Sequence, residues 1–224
     1  MQRLIEGFQY FRHAVFPEQR ELFKQLASGQ SPSTMFITCA DSRVMPEMIF
    51  NTQPGELFVY RNIGNIVPPY AQHVSGVVAA IEYAVRVLQV KHIVICGHSD
   101  CGAMKALQKP ELVKEMPSVA AWMKHGDVAK YVVAQNNQGL SEHETLACLT
   151  RENVVGQLEH LRTLPVVAAG VSRGDLSIHG WVYDIEHAEI ETFDAEKGRF
   201  VKLDPAGHVP DATPHVRFAA PVAA

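Results

Sequence analysis

The stretch that most limits what this chain can become is His92–Met104, HIVICGHSDCGAM. A run of apolar, β-branched residues meets a glycine, and the pattern beyond it turns helical. Such a junction delivers polar side chains to the carboxyl edge of a sheet, where open α/β folds bind ligands. His98 and Cys101 stand at that junction. Met35–Arg43, MFITCADSR, repeats the logic, an apolar run ending in Cys39, Asp41 and Arg43. Sulfur and imidazole ligands brought together from two strand ends suit zinc, which prefers a tetrahedral set of four. Cys39, His98 and Cys101 as three firm ligands leave one position open, the arrangement of a catalytic zinc, whereas Asp41 as a fourth would close it. Arg43 bears on that choice. A guanidinium two residues beyond Asp41 can clamp the carboxylate in a bidentate pair, keep it ionised and draw it off the metal.

Further strands are expected at Thr34–Thr38, Leu57–Asn62, Ser177–Ile185 and Ile190–Phe193. Val74–Leu88 has the spacing of a helix buried against the sheet, with Gly76, Ala79 and Ala80 small enough for close backbone approach. Ser141–Leu161 is a helix opened by a capping box of Ser141 and Glu144. Ser118–Lys130 reads as helical, while Pro165–Val171 fits strand or helix equally. Met1–Leu26 is amphipathic, with Pro17 opening a second segment, and such an arm needs a surface to lie on. Strands alternating with helices predict a mostly parallel central β-sheet flanked by helices. One domain spanning 1–224 is expected, with 1–30 as amino-terminal helical arm and 205–224 as irregular tail.

A net charge of −4 over 224 residues, with no basic run interleaved with aromatics, argues against a nucleic-acid partner. No apolar stretch approaches membrane-spanning length and Met1–Tyr10 lacks a signal peptide's apolar core, so a cytoplasmic chain is expected. Four cysteines do not make a disulfide framework here, and Cys96 and Cys148 read as small buried hydrophobes. His92, His143, His160 and His187 are expected to be solvated, and His179 to be a core histidine.

The C-A-D-S-R and G-H-S-D-C-G stretches closely resemble the signatures of the β-class carbonic anhydrases, and the likeness runs from about Gln30 to Asp184. The resemblance implies the β-carbonic anhydrase fold and one Zn²⁺ per chain on Cys39, His98 and Cys101, with Asp41 joining only in a closed form. It implies an Asp41–Arg43 catalytic dyad and reversible hydration of carbon dioxide to bicarbonate and a proton. It also implies dimers that pair into tetramers, the arm embracing the partner and the substrate pocket drawing on both chains. In the family's plant-like branch, Gln30 matches a substrate-binding glutamine, and Phe58 and Tyr83 match residues that line the pocket. Backbone N–H groups near Gly102 would then stabilise the developing bicarbonate oxygens. The allosteric branch binds a second bicarbonate with a tryptophan, an arginine and a tyrosine. Arg61 and Tyr183 match the last two, but Phe36 replaces the tryptophan and lacks its N–H donor. No regulatory site is therefore expected, and Asp41 is expected off the metal near neutral pH. Two rival readings use the same residues: hydrolysis of carbon disulfide or carbonyl sulfide on this fold, and a non-catalytic zinc-stabilised binding domain.

Overall fold

The structure, a computed structural model, describes residues 1–71, 75–136, 139–203, 209–210 and 212. It divides into two compact units, Met1–Ser31 and Pro32–Ala224. The first holds helix α1 (Gln2–Tyr10), a π-helical turn at Phe11–Val15 and helix α2 (Arg20–Leu26). Within it, Phe23 packs on Phe11 and Phe16 with ring centroids 5.6 and 5.4 Å away. Leu4, Ile5 and Phe8 of α1 are exposed.

The second unit runs β1 (Thr34–Cys39), α3 (Pro46–Ile49), β2 (Leu57–Asn62), α4 (Gly76–Arg86), β3 (His92–His98) and α5 (Gly102–Gln108). It continues with α6 (Pro117–Met123), α7 (Asp127–Asn136), α8 (Glu142–Thr163), α9 (Pro165–Arg173), β4 (Ser177–Asp184), β5 (Glu189–Asp194) and β6 (Arg199–Lys202). The described strands form one sheet in the order β2-β1-β3-β4-β5-β6. Its first three pairings are parallel and its last two antiparallel, so the expected mostly parallel, helix-flanked sheet is present with an antiparallel extension.

Strand periodicity divides the core. Met35, Ile37, Ile93, Ile95, Ile178 and Val182 face one side, into a cluster closed by Ile81 of α4, Leu158 of α8 and Val167 of α9. Phe36, Val94 and Cys96 face the other, against Phe50, Val59 and Trp181. The capping box that opens α8 is formed: Glu144 N donates to Ser141 Oγ at 3.3 Å, and Ser141 N donates to the Glu144 carboxylate at 2.9 Å. The expected close approach is present at Gly76 of α4, where a Cβ would fall 3.0 Å from Tyr60 Oη of β2, although Gly76 and Ala79 are themselves exposed; the tightest approach to the sheet is under α8. A Cβ on Gly180 would fall 2.8 Å from Leu158 Cδ1 and 2.9 Å from Val154 Cγ1. Gly180→Ala should therefore overpack this layer and destabilise the fold by about 1–3 kcal/mol, read as a lower urea midpoint at unchanged slope.

Pro165–Val171, which fits strand or helix equally on sequence, is helical, with Pro165 at the first position of α9 after the extended Leu164. Several other expectations need correction. Ser118–Lys130 is two helices, α6 and α7, joined by a 3₁₀ turn at Lys124–Gly126. The helix expected from Val74 starts at Gly76 with Ser75 as its cap, and Val74 itself lies outside the described residues. His160 is not solvated: it is half-buried, its Nδ1 lies 2.7 Å from Val67 O, and burial lowers its pKa. His179 is buried as expected, its Nε2 3.2 Å from Nδ1 of His92. β6 pairs with β5 as a strand that no sequence pattern announced. The irregular tail expected from 205 falls outside the described residues except at 209–210 and 212. No described helix is long and apolar enough to cross a membrane.

Candidate metal centre

β1 and β3 lie side by side and parallel, Thr38 opposite Cys96, so their carboxyl ends open together. Cys39 is the last residue of β1 and His98 the last of β3. Asp100 then turns the chain through a left-handed conformation (φ 57°), one that Asp tolerates, and places Cys101 at the cap of α5. The outcome is convergence. The Cys39 and Cys101 sulfurs are 3.9 Å apart, and with a ring nitrogen of His98 they all lie within 4.8 Å of one another. All three residues are buried.

The His98 ring fixes its own role. Nδ1 lies 2.9 Å from Ser99 O, a carbonyl that can only accept, so Nδ1 carries the proton and Nε2 the lone pair. That Nε2 is buried with no hydrogen-bond partner among the described residues, a costly state for a polar atom unless something electrophilic meets it. The adjacent Cys101 thiol, and after it His98 and the Gly64 and Asp41 amides, draws Cys39 toward thiolate against the effect of burial. That Cys39 neighbour, and burial, hold Cys101 toward the protonated thiol. A neutral imidazole with sulfur on two sides fits zinc better than a hard, oxygen-seeking cation.

Asp41 stands beside this set and outside it: its Oδ2 is 3.9 Å from His98 Nε2, and the close group among the described residues contains only the other three. Oδ1 accepts from Arg43 N at 3.0 Å and Nε at 2.9 Å, and Oδ2 accepts from Nη2 at 2.8 Å. This bidentate grip by Arg43 holds the carboxyl well below the usual carboxylate range. Two residues that sequence reasoning did not assign here complete the support. Asp100 accepts from Arg43 Nη1 through Oδ2 and from Nη2 through its carbonyl, each at 3.2 Å, and pairs with Lys105. Arg61, at the end of β2, donates to Cys39 O at 3.1 Å and to Asp41 O at 2.6 Å. The position of Asp100 between two ligands in GHSDC is the signal that could have found it; Arg61 has none short of the β1–β2 register.

The remaining expected residues lie on β2, on α4, at the start of α5 and in the amino-terminal unit. Phe58 and Tyr83 meet each other, ring centroids 6.1 Å apart, and Tyr83 is exposed on α4. Phe58 is opposite Met35, four residues before Cys39, or about 13 Å along a parallel strand. Gly102 is the exposed first residue of α5, and Gln30 is exposed in the amino-terminal unit. Phe36 is 2% exposed, its ring centroid 5.2 Å from Phe50 and 6.1 Å from Trp181.

A sulfur-and-imidazole group that could hold a metal, at the carboxyl edge of a parallel sheet with an ionised carboxylate next to it, is an arrangement suited to a metal-assisted α/β enzyme. The chain belongs to the carbonic anhydrase family, whose model matches residues 34–190. It is 47% identical over 203 residues to a carbonic anhydrase of Pseudomonas aeruginosa, covering 91% of this chain and 92% of that one. It is 46% identical over 203 residues to carbonic anhydrase 1 of Escherichia coli O157:H7, with the same 91% and 92% coverage. Among solved structures it is similar to the β-carbonic anhydrase CcaA, at a TM-score of 0.90 and 43% identity over 94% of this chain and 95% of that one. It is also similar to a tetrameric β-carbonic anhydrase from Sordaria macrospora, at a TM-score of 0.79 and 29% identity over 89% and 98% of the two chains. The fold is thus that of the β class, and the chain is an enzyme of a family whose general reaction is carbon dioxide hydration.

Proposed function

We propose that this chain carries out zinc-dependent, reversible hydration of carbon dioxide to bicarbonate and a proton, with one Zn²⁺ per chain on Cys39, His98 and Cys101. The supporting observation is that His98 Nε2, buried in the close group with the two sulfurs, has no hydrogen-bond partner among the described residues. Zinc bound there would supply Lewis acidity and a nucleophilic oxygen at neutral pH, chemistry for which carbonic anhydrases are themselves the standard illustration. Asp41, ionised by its pairing with Arg43, can accept a hydrogen bond through Oδ2 but cannot give one. It therefore orients an attacking oxygen, leaving a lone pair free for the carbon of CO₂. Arg43 keeps that carboxylate off the ligands, and Asp100 from the turn after β3 and Arg61 from β2 brace the pair.

Gln30, Phe58, Tyr83 and the amide of Gly102 are proposed as substrate-binding groups. Phe58 and Tyr83 serve a pocket shared between subunits of a dimer or tetramer. The distance of Phe58 from its own Cys39 supports that sharing, as does the tetrameric state named for the Sordaria macrospora relative. A cytoplasmic place is supported by free thiols at Cys39, Cys96, Cys101 and Cys148. Lack of a regulatory bicarbonate site is supported by the packed Phe36 and by Arg61, whose guanidinium already serves Cys39 and Asp41.

Stopped-flow CO₂ hydration with zinc analysis of the same sample tests the proposal, alongside carbon disulfide and carbonyl sulfide. CO₂ turnover with about one zinc per chain is expected. Turnover of a sulfur substrate alone would reassign the activity, and no turnover by a zinc-loaded sample would refute it.

A further inference from the structure

β3 and β4 run parallel with His98 opposite Tyr183, and their ladder continues for one bond past the end of β3: Ser99 N donates to Tyr183 O at 2.9 Å. In a parallel ladder the next bond returns from the amide two residues further on to the carbonyl of the residue that has just donated. Here that bond would join Ile185 N to Ser99 O. Instead, Ile185 N donates to Ser99 Oγ at 2.9 Å. The Ser99 carbonyl is turned to a different use, accepting from His98 Nδ1 at 2.9 Å.

The path of the chain explains the exchange. Ser99 begins the turn that Asp100 takes through its left-handed conformation, so the chain leaves the sheet here. A ladder bond lost at such a point leaves an amide to be satisfied. Serine carries an acceptor on its own side chain, short enough to serve a backbone amide close to its own peptide. Alanine carries none. Without the hydroxyl, the Ile185 N–H is left with its regular ladder acceptor, Ser99 O, and competes with the imidazole for it. The ring has no second anchor, because Nε2 lacks a hydrogen-bond partner among the described residues.

We propose that Ser99 is a positioning residue for the ligand His98: its hydroxyl takes over the β4 bond that its own carbonyl would make, and so leaves that carbonyl to hold the imidazole. Ser99 touches neither metal nor substrate in this role. Groups that orient a ligand from behind typically change metal affinity 10–100-fold when removed. This inference rests on the zinc reading above, and its test separates the two.

The experiment uses the full chain with zinc, and with cobalt in its place. Ser99→Ala is expected to release zinc to a chelator about tenfold faster than wild type, with shifted absorption bands in the cobalt form. With isotope-labelled histidine, the His98 Nδ1–H of the zinc form should also exchange with water faster than in wild type. Ser99→Thr keeps the hydroxyl, and the cleft of about 500 Å³ that Ser99 lines has room for the added methyl, so it should match wild type in all three. Ser99→Gly also lacks the hydroxyl and decides the question if the alanine variant fails to fold. Gly180→Ala is the control, expected to lower stability while leaving bands, release and exchange in place. Wild-type release and exchange in a folded variant without the hydroxyl would overturn the proposal. So would a threonine variant that behaves like alanine, or an equal effect in Gly180→Ala. A wild-type chain that binds neither metal would overturn the zinc reading, and this inference with it.

Discussion

Replacing Cys101 by serine should strip the chain of metal, taking zinc from about one ion per chain to near zero and carbon dioxide hydration with it. Serine places a hard, un-ionised oxygen where a soft sulfur stood 3.9 Å from the Cys39 sulfur, in a site only 1% exposed. Cys39 and His98 then remain as two ligands, too few for a stable zinc site. Binding to the folded state alone also stabilises it by mass action. The variant should therefore melt at a lower temperature than zinc-loaded wild type, and the gap should narrow when a chelator strips wild type as well. Metal analysis and thermal unfolding of both proteins read the result. A serine variant with full zinc content would contradict the ligand assignment.

Asp41→Asn should leave zinc in place and lower CO₂ hydration by about 100-fold or more, in the range of a lost proton-handling group. The amide is nearly isosteric but presents N–H where the carboxylate presents only acceptors, and it gives up half of the bidentate grip by Arg43. Arg43 stays attached through Asp100, so the change falls on orientation more than on folding. A variant with wild-type turnover would remove Asp41 from the chemistry. The same substitution has a signature in acid. Pairing with Arg43 depresses the Asp41 pKa in the folded chain, so its contribution to stability is present above the unfolded carboxylate value of about 3.9. It is lost as pH falls below that value toward the folded one. Acid unfolding of wild type should accordingly steepen below about pH 4 more than that of the variant, followed by circular dichroism.

What could be read in advance followed strong local physics. β1 and β3 are continuous apolar runs because both faces of a central parallel strand are covered, and the helix after Ser141 carries its own start signal. Cys39, His98 and Cys101 were legible because two short motifs sit at strand ends, and the structure brings them within one ion's reach. The misses have physical causes too. β6 is four residues long and held largely by its partner β5, so no periodicity could build up within it. His160 looked solvated among charged neighbours on the helix, yet one face of α8 meets the loop at Val67, a contact that only tertiary packing supplies. The bracing by Arg61 depends on strand register, which the order of residues along the chain does not display.

Insertions and deletions usually gather in loops because exposed backbone there has few fixed partners. Between Ile63 and Val67 that latitude is gone. Trp122 Nε1 donates to Ile63 O, Asn153 Nδ2 to Gly64 O and Val67 N to Gln157 Oε1, so one added residue would unseat all three bonds together. Divergent descendants of this sequence should vary in length at surface connections such as Gly139–Leu140, while the segment after Asn62 keeps its residue count even where its side chains drift.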